Sequence, residues 1–568
     1  MRKVKNLFGM AVMATALVAC SSSDDLTPNG NDNAVKPGEA YASFRINLPT
    51  TSGTRADAEG TPTFENGDKN EYAVKDAALL LFQKEGSDFK FKEVVDLGNM
   101  EPWTASGTNG ITTTAKLTAK ITTAEVGANK GYYALIVLNN NSETASKITY
   151  PTVGQTYADW SKHEANATAN YLKYDNGFFM ANAPKYVAGA PETLVEIKNI
   201  YASKQQAENS TATTVYVERG LAKVSLASTS AKHVDITDGN YAGDKVDIEG
   251  WTLDVTNTKT YPVHVTEGLW ADIWKTTVTP TNGASMDRFH DTKLTEFPRV
   301  YWGLDPNYSK NFASVADCEG EFTMATKANF KTGEDAKKAQ YCLENTFDID
   351  HMVQGQTTRV LFSAKYTPNG FTANETFYKF GNSPKLWHAA DVEAQIKAKA
   401  QEVLDEADAA KVTVTLAATD NDMTKSGVRL VAAANITHIG GAALTDEQVD
   451  KINAKLGFKK ATSTDAAVGL STYESGVSYY VARVKHFNEL TPWNPSDKTY
   501  DRNNANWLGR YGVLRNNWYE LSVSSVSGPG YPDVPKVNPT VPDDENDQYI
   551  NVEVKILSWA MRHQSIDL

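Results

Sequence analysis

Three groups of residues in this chain have types and spacings suited to covalent chemistry. The first is Leu17-Val18-Ala19-Cys20, preceded by Met1-Arg2-Lys3-Val4-Lys5 and an apolar run from Leu7 to Ala19. A basic start and a short apolar run make a secretory leader, because a helix that crosses a bilayer needs about 20 apolar residues. Small residues before Cys20 suit a signal peptidase that cuts between Ala19 and Cys20 once the thiol has accepted a lipid. The alternative is an ordinary cysteine in a cleaved leader or membrane anchor. Several acyl chains on Cys20 would hold the precursor to a membrane, whereas a single chain binds only marginally. The second group surrounds Arg55, in Pro49-Thr50-Thr51-Ser52-Gly53-Thr54-Arg55-Ala56-Asp57-Ala58-Glu59-Gly60. Small polar residues around one basic side chain make a loop open to proteolysis, and an arginine-specific protease would cut between Arg55 and Ala56. The third group is Cys318 and Cys342. In an exported chain they could pair, contributing about 3 kcal/mol, or stay free and buried. Spacing does not decide between the two.

No catalytic constellation accompanies these groups, so an enzyme and a cofactor are not expected. G-x-S-x-G, H-E-x-x-H and a phosphate-binding glycine loop are all missing from the sequence, and neither Cys318 nor Cys342 sits in a C-x-x-C motif. Asp348-Ile349-Asp350-His351 gathers three possible metal ligands, but such residues in a strand or turn more often serve solvation and hydrogen bonding. Asp420-Asn421-Asp422-Met423-Thr424 begins like a calcium loop, then places Lys425 where glycine is required and Val431 where the bidentate acid belongs. A net charge of -13 argues against nucleic acid as a partner, since nucleic-acid-binding domains need clustered Lys and Arg. Trp493, Trp507 and Trp518 could form a glycan platform, although aromatics in β-proteins mostly pack cores and edges.

The elements that must position these groups are mainly strands. The 568 residues suggest two domains, and short strand patterns separated by Asn, Gly, Pro and Thr point to an all-β chain of β-sandwiches. Val74 to Gln83 and Tyr132 to Leu138 are continuous apolar runs of the kind buried on both faces. Further strands are expected at Val215–Val217, Leu221–Leu226, Arg359–Ala364, Tyr479–Val484 and Trp518–Val523. Ala390 to Ala410, with Val392, Ile396 and Ala400 at helical spacing, predicts a helix inserted in the second half. Residues 528–548 contain five prolines and several acids. That composition predicts a linker without a packed core, holding the last strand away from everything before it.

The two ends of the chain share a pattern. Ala42, Phe44, Ile46 and Leu48 alternate with polar residues, and so do Ile550, Val552, Val554 and Ile556 within Tyr549 to Trp559. Both read as half-buried strands. Arg45 lies inside the first strand, where ladder hydrogen bonds would protect it from cleavage. If a cut after Arg55 released the first strand, its neighbours would expose an apolar groove and two rows of unpaired backbone groups. Burying four such side chains is worth about 6 to 12 kcal/mol as an upper estimate. The last strand of another copy has the pattern to fill the groove, and a donor-to-acceptor contact of that kind does not close, so a filament results. The alternative is that both strands simply complete their own domains.

Several segments resemble those of Bacteroidales fimbrillins. They are the lipobox at Leu17 to Cys20, the strand before Arg55, Val217-Glu218-Arg219-Gly220-Leu221-Ala222-Lys223-Val224, Val300 to Tyr308 and Tyr341 to Thr346. Ser21-Ser22-Ser23-Asp24-Asp25 is similar to the acidic surface-export tag of Bacteroidetes lipoproteins. Tyr511 to Tyr519, the proline-rich stretch and Val552 to Trp559 resemble the tail of the major subunits of minor fimbriae. The resemblance implies a type V pilus subunit with two tandem transthyretin-like β-sandwich domains, residues 56–214 and 215–527, and a C-terminal donor strand at 549–568. It implies residues 1–19 as signal peptide and 20–55 as a propeptide. It also implies a lipidated outer-membrane precursor, an arginine-specific protease, a homopolymer formed by strand exchange, and accessory tip and anchor subunits of an extracellular fimbrium that supports adhesion or biofilm formation. Keeping both the acceptor and donor ends favours a stalk or basal subunit; an anchor subunit that stays lipidated would keep the tail and lack cleavage, and Arg55 favours the stalk. Arg219 is followed by Gly220 where such subunits carry a β-branched or small apolar residue, so a bulge is expected there. The competing reading is a surface glycan-binding lipoprotein of a nutrient-uptake system, which would share the leader and the β-rich body.

Overall fold

The computed structural model describes residues 39–49, 69–98, 100, 104–105, 111–140, 148–166, 171–172, 177–188, 190–266, 297–416, 428–462, 467–486, 509–543 and 550–558. The chain is mostly β-sheet. Strands β1 (Ala40–Pro49), β2 (Ala77–Glu85), β3 (Asp88–Gly98), β4 (Ile111–Ile121), β5 (Tyr132–Leu138), β6 (Met180–Asn182) and β7 (Thr213–Arg219) form a first sheet in the order β3-β2-β5-β6-β7-β1-β4. Short pieces at Thr104–Ala105 and Val195–Glu196 pair with β4 and β5. Its apolar runs are buried on both faces, as their sequence requires. Leu79, Leu81, Ala134 and Ile136 join one core cluster, while Leu80, Phe82, Leu135 and Val137 join another on the opposite face. The sheet curls until its ends approach. The carboxylate of Glu93 on β3 accepts hydrogen bonds from Thr122 and Thr123, just beyond β4.

The second half holds β8 (Leu221–Leu226), β9 (Lys245–Asp254), β10 (Gln340–Leu343), β11 (Arg359–Thr367), β12 (Phe377–Phe380), β13 (Leu470–Tyr473), β14 (Val477–Arg483), β15 (Asn517–Val526) and β16 (Ile550–Ser558). One sheet runs β10-β8-β15-β16, and a second runs from His233–Asp235 through β9, β11 and β14. The two share a core in which Val224, Tyr519 and Leu521 meet Trp251, Phe362 and Tyr480. β11 and β14 are antiparallel neighbours, yet more than a hundred residues separate them in sequence, and these form an inserted unit with its own core. There β12 and β13 pair, and helices α1 (Ala389–Leu404) and α2 (Asp446–Lys455) pack over Val412 and Ile436. α1 buries Val392, Ile396 and Ala400, the expected stripe. It stops at Leu404 rather than Ala410, because Asp405 adopts a left-handed conformation and closes the last turn on Gln401.

The passage between the halves is a continuous ribbon. β7 belongs to the first sheet, so the boundary expected at Val215 falls inside a strand of that sheet, and the change comes at Gly220. Gly220 marks this crossing rather than a bulge within one ladder. Its N–H donates to Phe179 O, and a Cβ there would clash with the Tyr171 hydroxyl. Gly220→Val is therefore expected to destabilise the protein by about 1–3 kcal/mol through overpacking, read as a lower urea midpoint. An unchanged midpoint would mean that Tyr171 swings aside without loss.

Candidate functional site

β1 is an interior strand. Along one edge it pairs antiparallel with β4 from Ala40↔Ile121 to Leu48↔Thr113, and along the other it pairs parallel with β7 from Phe44↔Thr213 to Asn47↔Tyr216. A two-way bridge between Tyr41 and Tyr201 extends the second edge. Ala42, Phe44, Ile46 and Leu48 are each at most 1% exposed and fill the cluster that includes Leu79, Leu81, Ile136 and Val217. The opposite face is tied down by polar contacts. Ser43 Oγ donates to Ala207 O at 2.7 Å, in the short helix Lys204–Glu208, and lies 2.8 Å from Thr118 Oγ1. Thr114 Oγ1 donates to Asn47 Oδ1 at 2.7 Å. Arg45 has an exposed side chain, but its backbone lies in both ladders, opposite Thr214 and Lys116. A protease needs an extended, unpaired backbone, so that arginine is shielded. Cys20, Arg55 and Ala56 lie outside the described residues.

The other strand of interest lies along its own chain. β16 pairs antiparallel with β15, with Tyr519↔Ile556, Leu521↔Val554, Val523↔Val552 and Val526↔Ile550 in register. This corrects the expectation that the proline-rich stretch holds the last strand at a distance. Proline cannot donate, but its carbonyl accepts, and two buried arginines use that stretch as a partner. Arg359 bonds Asp254 through Nε at 2.8 Å and Pro535 O through Nη2 at 2.6 Å. Arg483 Nε donates to Asp543 Oδ1 at 2.9 Å. Tyr531 exchanges backbone hydrogen bonds with Tyr479, and Gln354 N donates to Val541 O. Residues 529–543 are thus a strap along the second half, with Val537 and Asp543 buried.

A buried ionic junction joins the halves, and the sequence reading did not single it out. Glu71, fully buried just before β2, pairs with Lys223 at 2.8 Å and accepts from the Tyr341 hydroxyl at 2.6 Å. Burial alone would raise the Glu71 carboxyl, but the Lys223 ammonium and these hydrogen bonds outweigh it and hold its pKa below the ordinary value. Arg219 donates through Nε to Glu71 O and through Nη1 to Asn516 Oδ1, and burial pulls its pKa down to about 10. On the other side Glu218 meets His264 at 2.9 Å, and Arg515 meets Glu344 at 2.9 Å. The signal was present as Glu218-Arg219 and Lys223 within an otherwise apolar strand run, a placement that requires buried partners.

The remaining candidates have structural roles. Cys318 lies in the helix Val315–Glu321, in a cluster with Val255, Phe322 and Val537, while Cys342 lies on β10 in the core of the second half. Both are free, which overturns the pairing option. Separate apolar surroundings raise their pKa values to about 11 and about 12 by burial, keeping them unreactive thiols. Asp348 spends its carboxylate capping the turn Ile349–His351. Trp518 lies under Lys223 Nζ at 3.7 Å and donates to Ser225 Oγ, so it is a packing residue. Trp493, Trp507 and Asp420 to Met423 lie outside the described residues.

Comparison with known proteins gives the following. Residues 471–565 match the family described as major fimbrial subunit protein type IV, fimbrillin, C-terminal. No curated protein matches the chain. Among solved structures, a candidate cell adhesion protein of Parabacteroides distasonis is 11% identical with a TM-score of 0.39, covering 94% of this chain and all of that one. A fimbrilin of Porphyromonas gingivalis is 12% identical with a TM-score of 0.36, covering 93% of this chain and all of that one.

Proposed function

We propose that this chain, whose residues 471–565 match the fimbrillin C-terminal family, is a stalk subunit of a surface fimbria that polymerises by exchanging β1 for the tail strand of a neighbour. The observation that carries this reading is the position of β1. A strand with four buried side chains, paired along both edges, is followed at once by the sequence around Arg55. Loss of an edge strand would leave a shorter sheet; loss of this one leaves a slot between β4 and β7, whose walls are apolar and whose edges offer unpaired N–H and C=O groups. The tail has the required period, and its β-branched Ile550, Val552, Val554 and Ile556 suit a pleated, buried site. To donate, the tail must leave β15, and the strap fixes where it departs. Lipidation at Cys20 delivers the precursor to the outer membrane, and cleavage after Arg55 discards lipid and β1 together.

The test is sequencing of the N-terminus of subunits in surface fimbriae. A start at Ala56 is expected. A start at Cys20, with lipid still attached, would overturn the exchange and favour a permanently anchored surface protein.

A further inference from the structure

The first sheet carries a cleft on the face opposite β1. Phe89, Tyr133 and Tyr157, all half-buried, line it and pack against the cluster of Leu80, Phe82 and Leu135, whereas β1 belongs to the cluster on the other face. Strand exchange in the slot therefore leaves the cleft open. Its volume is about 780 Å³. The rings come from three separate elements, β3, β5 and the helix Tyr157–Ser161, and Phe89 meets Tyr133 edge-on at 4.7 Å between centroids. Exposed Asp88 and Glu192 stand at the rim together with Lys84.

We propose that this cleft binds a neutral saccharide. A pyranose ring is apolar on its C–H faces and polar around its edge, and the cleft has the complementary division, with aromatic rings inside and carboxylates at the rim to accept from hydroxyl groups. The charges favour a neutral ligand. A cation seeking the ring faces meets Lys84, whose ammonium already lies 5.7 Å from the centre of Phe89. A polyanion meets Asp88 and Glu192. Burial, with Glu196 and Glu192 adding to it, raises the Tyr133 phenol, which leaves its hydroxyl a neutral donor. The site is independent of assembly and would give each subunit its own point of adhesion.

The experiment is titration of the purified chain with trisaccharides ending in glucose, galactose, mannose or N-acetylglucosamine. Saturable binding of at least one is expected, weakened about three- to tenfold by Tyr133→Ala, the loss that follows removal of an aromatic face. Glu192→Gln and Asp88→Asn, both at exposed positions, should weaken it with no change in melting temperature. No binding to any of the four, or binding that survives both rim substitutions unchanged, overturns the proposal.

Discussion

Replacing Val552 and Val554 by Asp will abolish fimbriae while leaving a monomer that still folds. In the proposed acceptor slot these positions would take the place of Phe44 and Ile46, or of their neighbours one pleat away, and the side chains of β1 there are fully buried. Moving an unpaired carboxylate into such a site costs several kcal/mol, about as much as the apolar side chain it replaces contributed, so two of them should outweigh the gain from the rest of the strand. Glu553→Gln, on the other face of the tail, is the control and should polymerise normally. The cis pairing of β16 with β15 sets a condition on the measurement. Val552 and Val554 stand opposite Val523 and Leu521 of the second core, so the double substitution also lowers the monomer's melting temperature, and assembly is scored at a temperature where the variant is folded. Normal fimbriae from the double variant would remove the tail from the mechanism.

Arg55→Ala is expected to trap a lipidated precursor that cannot polymerise. β1 is anchored up to Pro49, and the chain is anchored again at Glu71, whose buried carboxylate pairs with Lys223. Between these two points Arg55 is the single arginine. While the connection is intact, a β1 that slips out remains at high local concentration and returns before a second molecule can compete. Cutting the connection turns return into a bimolecular event, and the segment holding Glu71 stays behind in the junction. The readout is lipid-labelled precursor in the membrane fraction with no oligomer ladder. Fimbriae of ordinary length from Arg55→Ala would show that β1 can leave without a cut there.

The strands were legible because alternation and apolar runs report burial directly. Tyr132 to Leu138 is a strand from end to end, and Ala42 to Leu48 lies within β1 with its apolar residues inward. What period cannot show is which strands become neighbours. That β1 is interior, flanked by strands beginning about 70 and 170 residues later, is a long-range property, and it is what makes removal consequential. The proline-rich stretch hides its partners for a related reason. Its composition forbids a ladder of its own, but the arginines that hold it, Arg359 and Arg483, lie far upstream. The junction around Arg219 was likewise written across Glu71, Tyr341 and Asn516, residues brought together by the fold alone.

The strap also has a mechanical meaning. In a filament whose subunits hang from one another by their tails, tension on a tail enters the body through residues 529–543. Its first fixed points are the Asp543–Arg483 ion pair and the Pro535 carbonyl held by Arg359, both on strands of the second core. Load is then handed to β14 and β11, neighbours in one sheet, instead of peeling β15 away one hydrogen bond at a time. Separating this buried ion pair would leave uncompensated charges in the core, so the joint resists the load more than a solvated contact would.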